Sequence, residues 1–280
     1  MRVPFFIPLA CMMLSSLARS TEEPSFRVDK IESESACLVV AINKSFAPIS
    51  VVVRIAGGAH RSDRAGPLRD VIAPNSTHEI ARIYARENRE PCRVEMTYTH
   101  SVGNIFAVPD KHYRYRLPFR KGANIRVTQE PDGALTTHRD ALSRYAVDFS
   151  VPLGTPVLAA RAGIVIETRD AFSEGRADRK LAEKTNLVSI MHADGTFAQY
   201  AHLAPHSIPV RPGERVEAGQ MIGKSGKSGY AGGPHLHFDL RQARIGMDGA
   251  VKQESLPVSF YRQGTGKRIV LKRRRLITVD

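Results

Sequence analysis

Gly232-Gly233-Pro234-His235-Leu236-His237-Phe238-Asp239-Leu240 decides how the second half of this chain is read. Two glycines and a proline make a loop, and it runs straight into residues with strand character. Side chains on a strand alternate between faces. His235 and His237 therefore point one way, while Leu236 and Phe238 point into a core. Two imidazoles side by side suit a metal-dependent site, where one binds the ion and the other faces whatever the ion binds. A His-x-His pair alone is weak evidence, because such pairs also occur on surfaces and in satisfied cores. Partners elsewhere in the chain have to raise it.

Three candidates do so. Asp148 lies in Tyr145-Ala146-Val147-Asp148-Phe149, where Val147 and Phe149 can face a core and leave the carboxylate on the opposite side. His202 lies in Tyr200-Ala201-His202-Leu203, a strand end on which Tyr200 and His202 are expected to share a face. His138 sits in a polar loop ten residues before Asp148. Two histidines, one carboxylate and a water make a catalytic zinc shell with an open fourth position. No His-Glu-x-x-His helix is present to supply a glutamate base. Two other patterns are decoys. Gly223-Lys224-Ser225 and Gly226-Lys227-Ser228 lack the glycine that a phosphate-binding loop needs five residues earlier, since Ala218 and Met221 stand there. His138-Arg139-Asp140 lacks the asparagine of a kinase catalytic loop.

Around this constellation the chain is mainly β. Ala36 to Ile42, Ile49 to Ile55, His78 to Tyr84 and Arg93 to His100 are rich in β-branched residues, and turn residues separate them. Residues 21–118 are expected to form a small β-sandwich-like domain stapled by Cys37 and Cys92. The four histidines 60, 78, 100 and 112 show no ligand spacing and read as structural or exposed. A boundary near Pro118 to Gly122 opens a second domain, 119–264, expected to be an antiparallel β-sheet. Within it Asp194-Gly195 separates Leu187 to His192 from Thr196 to Leu203, a strong hairpin signal. Phe172 to Lys184 is charge-rich and reads as a loop or short helix at a rim. Gly223 to Gly233 reads either as a substrate-groove wall or as a tight connection.

Residues 1–20 read as a secretory signal peptide: Arg2, a mostly apolar run to Leu17, then Ala18-Arg19-Ser20 with small residues at the −3 and −1 positions. No later run is long enough to span a bilayer, so the expectation is an exported chain, periplasmic or secreted, that is not transmembrane after cleavage. Export leaves Cys37 and Cys92 in an oxidising compartment, which favours a disulfide. The formal charge is +13. Its excess is concentrated in a basic C-terminal tail, residues 265–280, at Lys267, Arg268 and Lys272 to Arg275. Such a tail favours anionic envelope polymers. No basic-aromatic pattern accompanies it, so nucleic acid is not expected.

The motifs together resemble the lysostaphin/LytM-type zinc endopeptidases of bacterial cell walls, from about Gly122 to Leu240. The resemblance runs through His138 and Tyr-Ala-Val-Asp148-Phe, Gly154-Thr155-Pro156-Val157, Tyr200-Ala201-His202-Leu203 and Gly233-Pro234-His235-Leu236-His237-Phe238. It implies one zinc ion held by His138, Asp148 and His237, with His202 and His235 as catalytic histidines whose individual roles stay open. The commonest family pattern puts the first histidine four residues before the aspartate. Arg144 stands there and cannot ligate a cation, whereas His138 fits members that carry the histidine further upstream. The expected function is hydrolysis of peptide bonds in peptidoglycan cross-bridges or stem peptides, with the N-terminal domain either positioning the enzyme or covering its groove. The alternative is a non-catalytic wall-binding regulator of another peptidoglycan hydrolase.

Overall fold

Alternation and β-branching carry through into strands spread from Phe26 to Thr278. The computed structural model describes residues 24–32, 36–56, 60–64, 66–85, 94–134 and 136–280. The first group of strands is β1 (Phe26–Glu32), β2 (Ala36–Asn43), β3 (Ile49–Ala56), β4 (His60–Ser62), β5 (Leu68–Ile72), β6 (Ser76–Ala85) and β7 (Glu95–Val102). The second is β8 (Asn124–Gln129), β9 (Val147–Ser150), β10 (Pro156–Leu158), β11 (Gly163–Arg169), β12 (Gly175–Arg176), β13 (Leu187–Met191) and β14 (Phe197–Ala201). It continues with β15 (Arg215–Val216), β16 (Met221–Lys224), β17 (Gly229–Tyr230), β18 (Leu236–Ile245), β19 (Val251–Leu256) and β20 (Leu276–Thr278). One short 3-10 helix, Arg179–Lys184, sits in the charge-rich stretch expected to be a loop or short helix.

The first group makes a sandwich. One sheet runs β1-β2-β6-β4 and the other β5-β3-β7. Val28, Val39, Ile80 and Ile83 from one sheet pack against Val51, Val53, Leu68 and Ile72 from the other. Cys37 is fully buried in β2. Cys92 and the leader lie outside the described residues, so the expected disulfide and signal peptide are not described either.

The second group makes a nine-stranded sheet, ordered β15-β11-β13-β14-β18-β9-β8-β20, with β19 pairing β18 as a hairpin. The Asp194-Gly195 hairpin forms as expected, joining β13 to β14 in antiparallel register. The core under this sheet is a run of rings meeting edge to face: Tyr200 on Phe238, Phe238 on Phe260, Phe260 on Phe149, and Phe149 on Phe119, with centroids 5.2 to 5.9 Å apart. All five are buried. Each such side chain contributes about 1.5–3 kcal/mol through burial alone, and interlocked rings leave their strands little freedom to shift.

The two cores meet closely. Val251 on β19 donates its backbone N–H to Thr99 Oγ1, and Gln253 Nε2 donates to Ser101 Oγ, so β19 lies against β7. Gly103 at the end of β7 has φ +110, and a Cβ there would stand 2.9 Å from that of Ala243. Only glycine allows both the backbone shape and the approach. Tyr115, Leu117 and Phe119 already belong to the second core, so the expected boundary at 118–122 falls inside packed chain.

Residues 265–280 are packed as well as basic. β20 pairs antiparallel with β8, and Ile269, Ile277 and Val279 are buried in the second core. The stretch read as a tail is thus the last strand of the sheet, with Lys272 to Arg275 exposed just before it.

Candidate active site and metal centre

The site is built on the face of the large sheet opposite the ring core. Registers put Ala201 of β14, His237 of β18, Asp148 of β9 and Gln129 of β8 side by side across four neighbouring strands. Asp148 and His237 were expected on the outward face, and their neighbours Val147, Phe149, Leu236 and Phe238 are fully buried beneath them. His138 reaches the same point from its loop. Its ring stands 4.8 Å from that of His237, nearly perpendicular. One ligand atom from each of His138, Asp148 and His237 lies within 4.8 Å of the others, so the three could hold a metal ion. Arg144 is turned away to pair with Asp132 at 2.9 Å.

The donor set fits a cation. Asp148 is 4% exposed. Its oxygens face His237 Nδ1 at 3.0 Å, His138 Nε2 at 3.5 Å and His235 Nε2 at 3.9 Å. Burial works against ionisation, but the His237 hydrogen bond and the neighbouring imidazoles outweigh it and hold the carboxyl well below its usual range. A buried anion surrounded by imidazoles is a site that a cation completes. His237 shows which nitrogen is available. Its Nε2 lies 2.9 Å from Asp239 Oδ2, and Asp239 is fully buried in a two-point ion pair with Arg241 at 2.7 and 2.8 Å. Arg241 keeps Asp239 ionised, so Nε2 carries the proton and Nδ1 is left as the donor toward the metal position. Without a metal, burial opposes protonation of His237 but the two carboxylates overcome it, pushing the group up to about 9.

Asp239 and Arg241 were missed in the sequence, although the signal was there. His235, His237, Asp239 and Arg241 alternate along one face of one strand. Reading the face two residues further would have found the carboxylate that holds His237 Nε2.

His202 and His235 form a second group, ring centroids 4.5 Å apart. His202 arrives there differently from expectation. β14 ends at Ala201, and His202 takes φ 63, a left-handed conformation rare for a side-chain-bearing residue. Simple alternation would have sent it to the core with Tyr200. The turn sends it to the site instead, and Tyr200 stays fully buried, accepting the Ala160 N–H at 2.7 Å. Tyr200 is therefore a packing residue. His202 Nδ1 lies 2.7 Å from the Ser228 carbonyl and His235 Nδ1 lies 2.8 Å from the Gly233 carbonyl. A carbonyl only accepts, so both rings carry their proton on Nδ1. Burial, followed by the nearby His235 and His237, pushes His202 down to about 3. Its ring is neutral at neutral pH, with a free lone pair on Nε2.

These side chains floor an open groove of about 810 Å³. One wall carries Thr137 and Asp140. The other carries Arg179, Thr185 and the Tyr230 to Gly233 segment. Of the two readings of Gly223 to Gly233, the wall holds for its second half. Gly229 makes the tight part: it has φ +77, and a Cβ would stand 2.1 Å from Thr185 Oγ1. None of the described residues from 24 to 118 lines the groove. His192 and His206 stay outside it. His192 is buried, with Nδ1 donating to the Ala162 carbonyl at 2.9 Å, and His206 is exposed.

Residues 143–252 match the description of peptidase family M23. This stretch is an M23 peptidase domain. The M23 domain is 39% identical over 93 residues to the peptidoglycan DD-endopeptidase ShyA of Vibrio cholerae, covering 33% of this chain and 19% of that protein. It is 38% identical over 95 residues to lysostaphin of Staphylococcus staphylolyticus, covering 34% of this chain and 18% of that protein. The chain thus spans about a fifth of the length of these relatives. Among solved structures, the catalytic domain of lysostaphin from Staphylococcus simulans matches at 28% identity and TM-score 0.29, covering 44% of this chain and 79% of that one. A mutant catalytic domain of the prophage-encoded M23 protein EnpA from Enterococcus faecalis matches at 26% identity and TM-score 0.37, covering 50% and 94%. No helix among the described residues is long and apolar enough to cross a membrane.

Proposed function

We propose that this chain is an exported zinc endopeptidase that cuts peptide bonds in peptidoglycan stems or cross-bridges. The observation that carries the reading is the convergence of His138, Asp148 and His237 beside His202 and His235 on the floor of one groove. The similarity of the M23 domain to proteins named for peptidoglycan and glycyl-glycine endopeptidase activity supports the substrate class. The leader-like residues 1–20 support a periplasmic or secreted location.

In this reading His138 Nε2, His237 Nδ1 and a carboxylate oxygen of Asp148 hold one zinc. Bound zinc supplies a Lewis acid that polarises a peptide carbonyl and lowers the pKa of a water. The chain's own groups do the rest. Asp239 holds His237 in the tautomer that leaves Nδ1 free, and Arg241 holds Asp239. His202, neutral and with Nδ1 fixed on Ser228, presents Nε2 as a base for the proton of the attacking water. His235, fixed on Gly233, presents its Nε2 beside Asp148. The proton that His202 takes from the water is the one passed on to the leaving amine, directly or by way of His235 Nε2. The N-terminal sandwich, which adds no described residue to the groove, acts in positioning. Lys272 to Arg275 offer a contact for anionic envelope polymers.

The test is zinc analysis of the purified mature protein together with digestion of isolated peptidoglycan. About one zinc per chain and new peptide termini in the digest are expected. Zinc-loaded protein that binds peptidoglycan but releases nothing would favour the non-catalytic regulator.

A further inference from the structure

Gln129 touches both Asp148 on the sheet and the loop that carries His138. Its reach depends on a fault in the ladder. β8 pairs with β9 as Arg126↔Ser150 and Val127↔Phe149, then slips, so that Gln129 rather than Thr128 stands opposite Asp148. Paired residues share a face. The bulge at Thr128 therefore brings Gln129 onto the outward face, where regular alternation after buried Val127 would have put Thr128, and aligns it with the carboxylate.

Both ends of the amide are engaged. Oε1 accepts three hydrogen bonds, from the Thr137 backbone N–H at 2.7 Å and from the hydroxyls of Thr136 and Thr137 at 3.0 Å each. A backbone N–H only donates, so this fixes which way round the amide lies. Nε2 then points inward. It donates to Asp148 Oδ2 at 2.6 Å and stands 3.4 Å from His138 Nε2. The loop positions held by Oε1 are the two residues immediately before His138.

We propose that Gln129 is a positioning residue that fastens the His138 loop to Asp148, so that the loop-borne histidine and the sheet-borne carboxylate are already set for the cation. A histidine on a loop has no ladder to hold it, and the cost of ordering that loop would otherwise fall on metal binding. The inference rests on the reading of His138, Asp148 and His237 as zinc ligands.

The test is a double-mutant cycle on the full mature chain, with zinc affinity measured by chelator competition in the absence of substrate. Gln129→Met keeps the length of the side chain and removes the amide. It should weaken zinc binding about 10- to 100-fold, the usual effect of losing a group that orients a ligand. In the His138→Ala background the same change should cost less than about threefold, because the two act through one another. Peptidoglycan hydrolysis by Gln129→Met should return toward the wild-type rate when zinc is raised to saturation. Equal losses in both backgrounds would overturn the proposal, since they would make the amide an independent support of the fold. So would wild-type zinc affinity in Gln129→Met. If that variant does not fold, as judged by metal-free thermal unfolding, Thr137→Val takes its place. It removes one bond from an exposed position and should cost about threefold, again only when His138 is present. A wild-type chain without zinc affinity, or His138→Ala with undiminished affinity, would instead defeat the ligand assignment itself.

Discussion

His237 and His202 have ring centroids 6.0 Å apart at the same site, yet opposite chemistry holds them. His237 lies between two carboxylates, Asp148 and Asp239, and is drawn toward positive charge. His202 rests on the Ser228 carbonyl, and His235 on that of Gly233, with no carboxylate among the described residues at hydrogen-bond distance from either ring. A carboxylate anchor makes an imidazole side of the site that welcomes a cation. A carbonyl anchor fixes the tautomer without adding charge, which leaves a neutral ring able to take a proton and give it back. In the proposed function, the division of labour between metal binding and proton handling follows from what stands behind each ring.

The strongest way to break this comparison is on the carboxylate side. Asp148→Ala or His237→Ala should abolish both zinc content and hydrolysis, because each removes a donor and leaves a buried partner uncompensated. Elemental analysis showing full zinc in either variant would contradict the assignment. His138→Ala should lose hydrolysis and most of its zinc affinity, with weak binding to Asp148 and His237 left for chelator competition to measure. On the carbonyl side, His202→Ala and His235→Ala should keep zinc and fold while turnover falls on the order of a hundredfold or more. Zinc stoichiometry and peptidoglycan hydrolysis should be measured on the same preparation. Loss of zinc in His235→Ala alone would exchange its role with that of His237.

A subtler change sharpens the contrast. Asp239→Asn keeps the shape but removes the negative charge behind His237. Zinc affinity should fall about 10- to 100-fold, the range for an outer partner of a metal-binding histidine. Isothermal titration would detect it, and an unchanged affinity would mean that Asp148 alone tunes the ring.

The smallest effect on activity is expected at His192, a carbonyl-anchored histidine away from the groove. Burial pushes it down to about 4, so folded protein resists protonating it while unfolded chain does not. It costs nothing above the unfolded value near 6.5. As pH falls from there to about 4, it destabilises the fold by up to about 3 kcal/mol. His237 has the opposite sign: its raised value stabilises the metal-free fold below about 6.5, and that contribution is lost as pH rises through about 9. His192→Asn retains a donor for the Ala162 carbonyl. In metal-free protein it should flatten the loss of melting temperature between pH 6.5 and 4. An unchanged slope would show that His192 does not titrate with unfolding.

How much of the site was legible depended on how regular the backbone is at each residue. Asp148, His235 and His237 lie where alternation holds, and the sequence places them on the correct face. His202 does not: it sits one residue past its strand in a left-handed conformation that no pattern of residue types announces. Its family motif located it when its geometry could not. Gln129 depends on a slipped register in β8, which shows only when two strands are laid together. His138 comes from the resemblance: Arg144 stands at the commonest ligand position, and His138 fits members that carry the histidine further upstream. The β-rich class, the sandwich strands and the Asp194-Gly195 hairpin followed from β-branched runs and turn residues. In residues 265–280 the charges suggest a basic tail, while Ile269 to Leu271 and Leu276 to Val279 also allow a packed strand, and the strand forms at Leu276–Thr278.

The pairing of β20 with β8 also sets an order of events while the chain is being made. Thr278 bonds Asn124 across 154 positions, whereas the strands of the sandwich find their partners within residues 26–102. The sandwich can close early. β8, one strand from Asp148, must wait with a bare edge for a partner still to be synthesised, and long-range pairing of this kind is slow. The sandwich lies against the same sheet through β7 and β19, so the first part to fold offers the second a surface to build on. The large sheet can therefore close along β8 only after every strand of the sandwich has been made.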